Sequence, residues 1–518
     1  MDALIQTAQG ADGVLVATID MPGRTMNVFS AGLMDALDAL MDRVDTDPDV
    51  RSVVLTSGKS SFLAGADLSM VRGYCDAADH MNAEQMHAMC GRLGRQLVRL
   101  EASAKPWVAA VNGLALGGGL ELSMACRVRL VADDPKIQLG LPEVRLGLLP
   151  GAGGTQRLPR FVGFELGMDM LLSGRSIDPA TAVASGLFDR ALPTAQLVEA
   201  AKATARSLHG TALDPTIKFA HFAQTDVPPY SPEAARNVAL KNGVSATDFE
   251  RYPAYSAIID SVLLGAHQTL ADGTDSVMRQ FLRLMFSPVA GNMVRTMFLN
   301  RQRADRELAP LVGLGIEKVN TGAIFPALAA WSEALAKSKL AVSVDPDLPA
   351  NTIELLDSTG ARHRVALLAL LVLGNATTKE APHGSFAVLS PIGPFGRVLE
   401  IVSSDDATAN ALAALAQRLR ALPWRSAGPT SALLAHAGAD AQDADAQALA
   451  ALSRAATVAI GDADLYDVAA CVAGVTPTWS GGPFTHLWRE HARLAQSFDA
   501  AQSAAWARIQ PLLAKART

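Results

Sequence analysis

A chain of 518 residues is too long for one hydrophobic core, and its length predicts about two to four domains. With 49% hydrophobic, 19% charged and 5% aromatic residues it has the composition of a globular protein rich in helix, which excludes extensive disorder. A formal net charge of -6 without a block of basic residues excludes the electrostatic footprint of a nucleic-acid or anionic-membrane binder, so small-molecule chemistry is expected.

In chain order, the first half alternates strand and helix. GVLVATID reads as a strand, AGLMDALDALMDRVD as an amphipathic helix, and RSVVLTSG as the next strand. SFLAGADLSM is a small-residue turn that enters a helical segment reaching about Leu100, and PWVAAVNG is a further strand. Gly117, Gly118 and Gly119 stand at its junction with the following helix, and RVRLVADD and KIQLGL are short strands beyond it. From about Leu197 to Leu308 helical spacing dominates, as in VMRQFLRLMFSP and NMVRTMFLNRQRADREL. A second α/β stretch runs through LAVSVDPD, HRVALLALLVLGN and SFAVLSPIGPFGRVLEIVSS to the helix DDATANALAALAQRLRAL. After Pro423 the chain is alanine-rich and mostly helical.

Cys75, Cys90, Cys126 and Cys471 form neither a CxxC pair nor a cluster with histidines, so no disulfide framework or metal site is expected and a reducing cytoplasm fits. MDALIQTAQGADG lacks the basic and apolar regions of a signal peptide, and the longest apolar run, Val365 to Leu373, is too short to span a bilayer. A cytoplasmic protein without membrane insertion is the expectation.

Two carboxylates carry the chemistry. Glu121 falls in the first turn after the triple glycine, and Glu143 follows Leu141-Pro142, in apolar surroundings where a solvated charge is out of place. Dehydration would raise the pKa of such a group and let it cycle a proton. The glycines leave the N-H groups at the start of the helix open to a bound oxygen, as an oxyanion hole requires. Alone, the glycine run is equally a tight packing turn, and Glu121 alone is more commonly a helix cap. Two glutamates, the glycines and the AGAD turn together form a much rarer combination.

AGADL, NGLALGGGLELSMAC and GLPEVRLGLLPGAGGTQRLPR resemble the enoyl-CoA hydratase (crotonase) family over roughly residues 10 to 200. The resemblance implies a spiral of β-β-α turns in which two backbone N-H groups, here Ala66 and Gly118, hold a thioester oxygen as an enolate forms. It implies Glu121 and Glu143 as the acid-base pair, Glu143 supplying the α-proton and Glu121 mainly activating water. It also implies coenzyme A contacts along Ala64, Gly65, Ala66, Asp67 and Leu68, with Gly117 beside them. Arg24 reads as a solvated surface charge, and GAGGTQRL as a turn after the Glu143 segment, since it lacks the lysine of a phosphate loop.

The later chain is similar to the α-subunit of fatty-acid β-oxidation multienzymes, in which a 3-hydroxyacyl-CoA dehydrogenase follows the hydratase. Its dinucleotide fingerprint is missing: VGLGIEKV offers Gly313 and Gly315 but Lys318 at the third glycine position, Pro310 interrupts the preceding strand, and Asp345 is the nearest ribose-binding acid. Aligning Ser390-Pro391 with the family's Asn-Pro pair puts Ala387 where the catalytic histidine belongs. His383 lies nearby beside Pro382 as a surface histidine, and no glutamate stands out to orient an imidazole.

The expected architecture is therefore α/β: a crotonase-like core over 1–196, a helical extension and linker over 197–308, a shortened, degenerate Rossmann-like region over 309–423 and a helical region over 424–518. The expected activity is hydration of trans-2-enoyl-CoA, with isomerisation as a companion, an inactive dehydrogenase half and no NAD. The alternatives are another reaction of the same superfamily (isomerase, hydrolase or dehydratase) or a subunit that binds acyl-CoA without turnover. A thiolase subunit or further copies of the chain are the expected macromolecular partners.

Overall fold

A computed structural model describes residues 4–78, 80–211, 231–308, 315–324, 328–369, 385–392, 395–426, 431–436, 440–458, 460 and 462–517. It divides into two units, Met1–Gly291 and Asn292–Thr518. The division falls inside the 197–308 stretch, so the helices Pro232–Lys241, Ala246–Arg251, Pro253–Gly265 and Leu270–Met285 belong to the first unit.

In the first unit, Ile5–Gln9 (β1), Val14–Ile19 (β2), Ser52–Ser57 (β3), Trp107–Val111 (β5), Val128–Ala132 (β7) and Arg190–Leu192 (β10) pair in that order as a six-stranded sheet. Only the β1–β2 pair is antiparallel. A smaller four-stranded sheet takes Leu63–Ala64 (β4), Ala115–Leu116 (β6), Leu139–Gly140 (β8) and Ser176–Ile177 (β9). The chain visits both sheets on each pass: β3, β4 and the Leu68–Ala77 helix, then β5, β6 and the Gly118–Ala125 helix, then β7, β8 and a tight turn over Pro142–Leu146. This is the expected β-β-α spiral. Its physical origin is plain in β3 and β5, where every residue is buried; parallel strands covered on both faces need such continuous apolar runs.

The second unit holds a mixed seven-stranded sheet formed, in spatial order, by Ala341–Val344 (β12), Ile316–Thr321 (β11), Thr352–Asp357 (β13), Arg362–Ala369 (β14), Phe386–Leu389 (β15), Arg397–Val402 (β16) and Ala421–Arg425 (β17). The β11–β12, β14–β15 and β16–β17 pairs are parallel, the other three antiparallel. Its core joins Trp331, Ile353, Leu355, Val365, Leu399 and Leu412. The start of the apolar run at Val365 is thus a central strand, and no helix among the described residues is long and apolar enough to cross a membrane. Helices Ala444–Thr457, Ala463–Val472, Pro483–Leu494 and Ala500–Arg517 complete the unit.

Pro310, Gly313, Pro382 and His383 lie outside the described residues. Gly315 leads directly into β11, a strand on which Lys318 is exposed, whereas a pyrophosphate site needs a helix at this point. Ala387 is buried on β15, opposite Ile401. β16 carries a buried glutamate one register position from Ala387. Glu400 pairs with Val388 and is fully buried, yet its carboxylate accepts from the Ser431 hydroxyl (2.5 Å) and the Ala432 (2.5 Å) and Leu433 (3.2 Å) amides. It holds that turn instead of orienting an imidazole.

Candidate active site

The register between the two short strands brings the segments of the two expected donors together. Leu63 pairs with Ala115 and Ala64 with Leu116 in parallel, and the same register continued by two residues would set Ala66 beside Gly118. On its other side the Ala66 segment is bridged by Phe29, whose N-H donates to Gly65 (2.8 Å) and whose carbonyl accepts from Asp67 (2.8 Å). In such a parallel bridge the middle residue, Ala66, turns its own N-H away from Phe29 and toward the Gly118 side. Gly118 opens its helix, so its N-H is among the first-turn donors that no intrahelical carbonyl satisfies.

Each of the three glycines answers a different constraint. Gly117 has φ 51° and ψ -126°, a conformation closed to L side chains, and a Cβ there would stand 2.6 Å from Glu143 Oε1. A Cβ on Gly118 would stand 2.8 Å from the Phe29 ring, and one on Gly119 would overlap the Leu63 carbonyl.

Glu121 lies in a helix buried at every position and is itself 2% exposed. Its Oε1 accepts from the Ala152 amide (2.9 Å) and the Gly154 amide (2.7 Å). Burial pushes this carboxyl up to about 7, with the Gly154 amide, Arg157 and the Ala152 amide pulling the other way. Glu143 sits in the Pro142–Leu146 turn with Oε1 against Gly117, while its Oε2 is shut off from solvent with no hydrogen-bond partner among the described residues. Burial first and the charge of Glu121 second hold it well above the usual carboxylate range. Two coupled carboxyls of unequal environment can hold one proton while the other stays available as a base.

Residues 9–232 match the family model described as enoyl-CoA hydratase/isomerase. This segment belongs to that family. The chain is 38% identical over 288 residues to the fatty acid oxidation complex subunit alpha of Idiomarina loihiensis, covering 54% of this chain and 38% of the relative. It is 35% identical over 288 residues to the same-named subunit of Shewanella frigidimarina, covering 55% and 39%. The chain thus spans about two fifths of the length of those relatives. Among solved structures, an enoyl-CoA hydratase from Bacillus anthracis is 28% identical, covering 49% of this chain and 96% of that one, with a TM-score of 0.36.

In this hydratase/isomerase-family segment the Ala64–Leu68 turn carries Ala66, one of the two expected donors. The Ala64 amide donates to the Asn27 backbone carbonyl, and the fully buried Asn27 side chain ties together Met21, Ile19 and Ser57. Asp67 caps the helix that Leu68 begins, accepting from Ser69 (2.9 Å), and pairs with Arg24 at 2.7 Å. Arg24 is a solvent-exposed charge that pairs with the turn flanking Ala66.

The sequence reading also missed the role of GAGGTQRL. Its amides grip Glu121, and the signal was available, since glycines leading into a helix N-terminus favour a carboxylate. The later helices brace the Glu143 turn and the loop that holds Glu121. Phe281 packs on Gly151, Ala290 on Gly147, and the Tyr252 hydroxyl donates to the Val144 carbonyl at 2.8 Å, next to Glu143. Tyr252→Phe removes that buried bond and is expected to lower stability by about 1 kcal/mol, read as a fall in the thermal midpoint. An unchanged midpoint would mean that the hydroxyl contributes nothing to holding the turn.

Proposed function

We propose that the first unit hydrates trans-2-enoyl-CoA thioesters. The thioester oxygen lies against the Ala66 and Gly118 amides, which take up the negative charge that gathers there as the double bond is attacked. A water between the carboxyls gives a proton to ionised Glu121 while its oxygen bonds to the β-carbon, and protonated Glu143 supplies the proton to the α-carbon. The observation that carries this reading is the unequal pair: Glu121 accepts two amide hydrogen bonds with Arg157 nearby, favouring ionisation, whereas Glu143 keeps a buried, unpartnered oxygen, favouring the acid. The Ala64–Leu68 turn and Gly117 then meet the coenzyme A moiety, with Arg24 beside them. Relatives named fatty acid oxidation complex subunit alpha support placing the reaction in fatty acyl breakdown. The four cysteines, all free, fit a reducing cytoplasm.

The second unit, in this reading, turns over nothing with NAD. A buried methyl group stands at Ala387, and Glu400 is committed to the 431–433 turn. The test is one assay with several arms: purified protein, trans-2-enoyl-CoA of increasing chain length, loss of the conjugated thioester absorbance, and product analysis with and without NAD. The expected products are 3-hydroxyacyl-CoA esters in both arms. Formation of 3-ketoacyl-CoA with NAD would overturn the inactive second unit, migration of the double bond without hydration would favour an isomerase, and tight binding without turnover would favour a non-catalytic subunit.

A further inference from the structure

Arg157, in the Gly154–Val162 helix, is fully buried. Its guanidinium donates through Nε (3.2 Å) and Nη2 (2.9 Å) to Glu101 Oε2, and through Nη1 (2.9 Å) to the Ala152 carbonyl. Ala152 is also one of the two residues whose amides hold Glu121, so the same short loop is gripped from behind by Arg157 and from in front by Glu121. A side chain at Gly153 would overlap Arg157 Nη1, so guanidinium and loop are in contact. A buried ion pair of this kind is weak evidence for stability, because desolvation offsets most of the attraction. Its placement calls for another role.

We infer that Arg157, balanced by Glu101, is a positioning residue for Glu121: it fixes the 151–154 loop and sets the charge state of that carboxyl. This rests on the hydration reading, in which Glu121 acts as the ionised base. The charged surroundings of Glu121 are few. Glu143 faces it from its turn and opposes its ionisation, and Arg157 faces it from the 154–162 helix and favours it. From the Arg92–Glu101 helix, Glu101 acts through Arg157, while Arg92 and Arg99 are engaged by aspartates of the Ala31–Thr46 helix. Arg160 turns to the Gly265 and Gln268 carbonyls, and β4 and β6 carry no charge. Arg129, buried on β7, is the other cation close to Glu101.

The pair makes opposite predictions for its two members. Arg157→Gln removes the positive charge, so the acidic limb of the pH profile of kcat/KM for a four-carbon trans-2-enoyl-CoA should move up by about one unit. Glu101→Gln leaves Arg157 less neutralised, so the limb should move down. Arg157→Lys keeps the charge but loses the fork that spans Glu101 and Ala152, so the limb should stay while kcat falls severalfold. A merely structural role would lower the plateau in every variant and leave the limb in place. That result, or a shift of Arg157→Gln and Glu101→Gln in the same direction, would overturn the inference; if Arg157→Gln does not fold, the direction of the Glu101→Gln shift decides. Difference infrared titration of the carboxyl band, with Glu121→Gln as the reference, must move the same way in unliganded protein. This second readout needs no turnover, so a wild type inactive on every enoyl thioester would sink the hydration reading, while the direction of the infrared shift would still decide the inference.

Discussion

Glu143→Gln is expected to lower kcat for hydration of a trans-2-enoyl-CoA by about 100- to 10,000-fold, the range spanned by loss of a general acid or base, with a much smaller change in KM. The amide keeps the size of the carboxyl beside Gly117 but cannot deliver a proton to the α-carbon. Glu121→Gln should lose activity in the same range for a different reason. Its amide oxygen can still accept from Ala152 and Gly154, so the loop stays in place while the base disappears. Unchanged rates in both variants would remove the assignment.

The same substitutions carry a stability signature of opposite sign. Both carboxyls sit above their unfolded values in the folded protein, because burial disfavours the charge. Folding therefore favours their protonated forms: that contribution is complete below the unfolded carboxylate range, near pH 4, and is lost as pH rises through about 7 for Glu121, while Glu143 acts in the same direction. As pH rises above the unfolded carboxylate range, ionisation favours the unfolded wild type, a penalty that glutamine does not carry. Glu143→Gln should thus melt higher than wild type at pH 8, by on the order of a few degrees, with the margin shrinking toward pH 5. A lower midpoint at pH 8 would mean that Glu143 is stabilised by contacts other than those seen here.

Gly117→Ala is expected to reduce kcat about 1000-fold, as large an effect as removing an oxyanion donor, although no functional group is deleted. At φ 51° and ψ -126° the alanine would be strained by about 1–3 kcal/mol, so the strand-to-helix junction must rotate and carry the Gly118 N-H with it. The added methyl would also stand 2.6 Å from Glu143 Oε1 and push that carboxyl from its place. Thermal melting should fall together with activity, and an alanine variant with more than about a tenth of wild-type kcat would show that the hole does not depend on this geometry.

Much of the site was legible because the chemistry sits in short local patterns. Parallel buried strands must be apolar, so RSVVLTSG and PWVAAVNG announced themselves, and the triple glycine gained its meaning from the two glutamates and the AGAD turn found with it. GAGGTQRL was read as a mere turn because its ligand, Glu121, lies 31 positions before Ala152, a separation that no local pattern records. Tyr252 and Glu101 were invisible for the same reason: each acts through one contact with a residue far along the chain, and a lone tyrosine or glutamate at a helix end has no signature. Glu400 shows the converse, since the sequence places it on a strand while its partners at 431–433 explain why it is buried.

By itself the sequence determined an α/β core and singled out the two glutamates and the triple glycine, because strand burial, glycine sterics and helix starts are properties of neighbouring residues; the spiral and the two amide donors followed from the family resemblance. Tertiary structure decided what those groups are: which carboxyl is held by amides and which is left bare, which cation stands behind Glu121, and which later helices brace the loops. Those outcomes depend on dehydration and on distances across folded chain, and a carboxyl acquires its proton affinity only when the surrounding elements have closed over it.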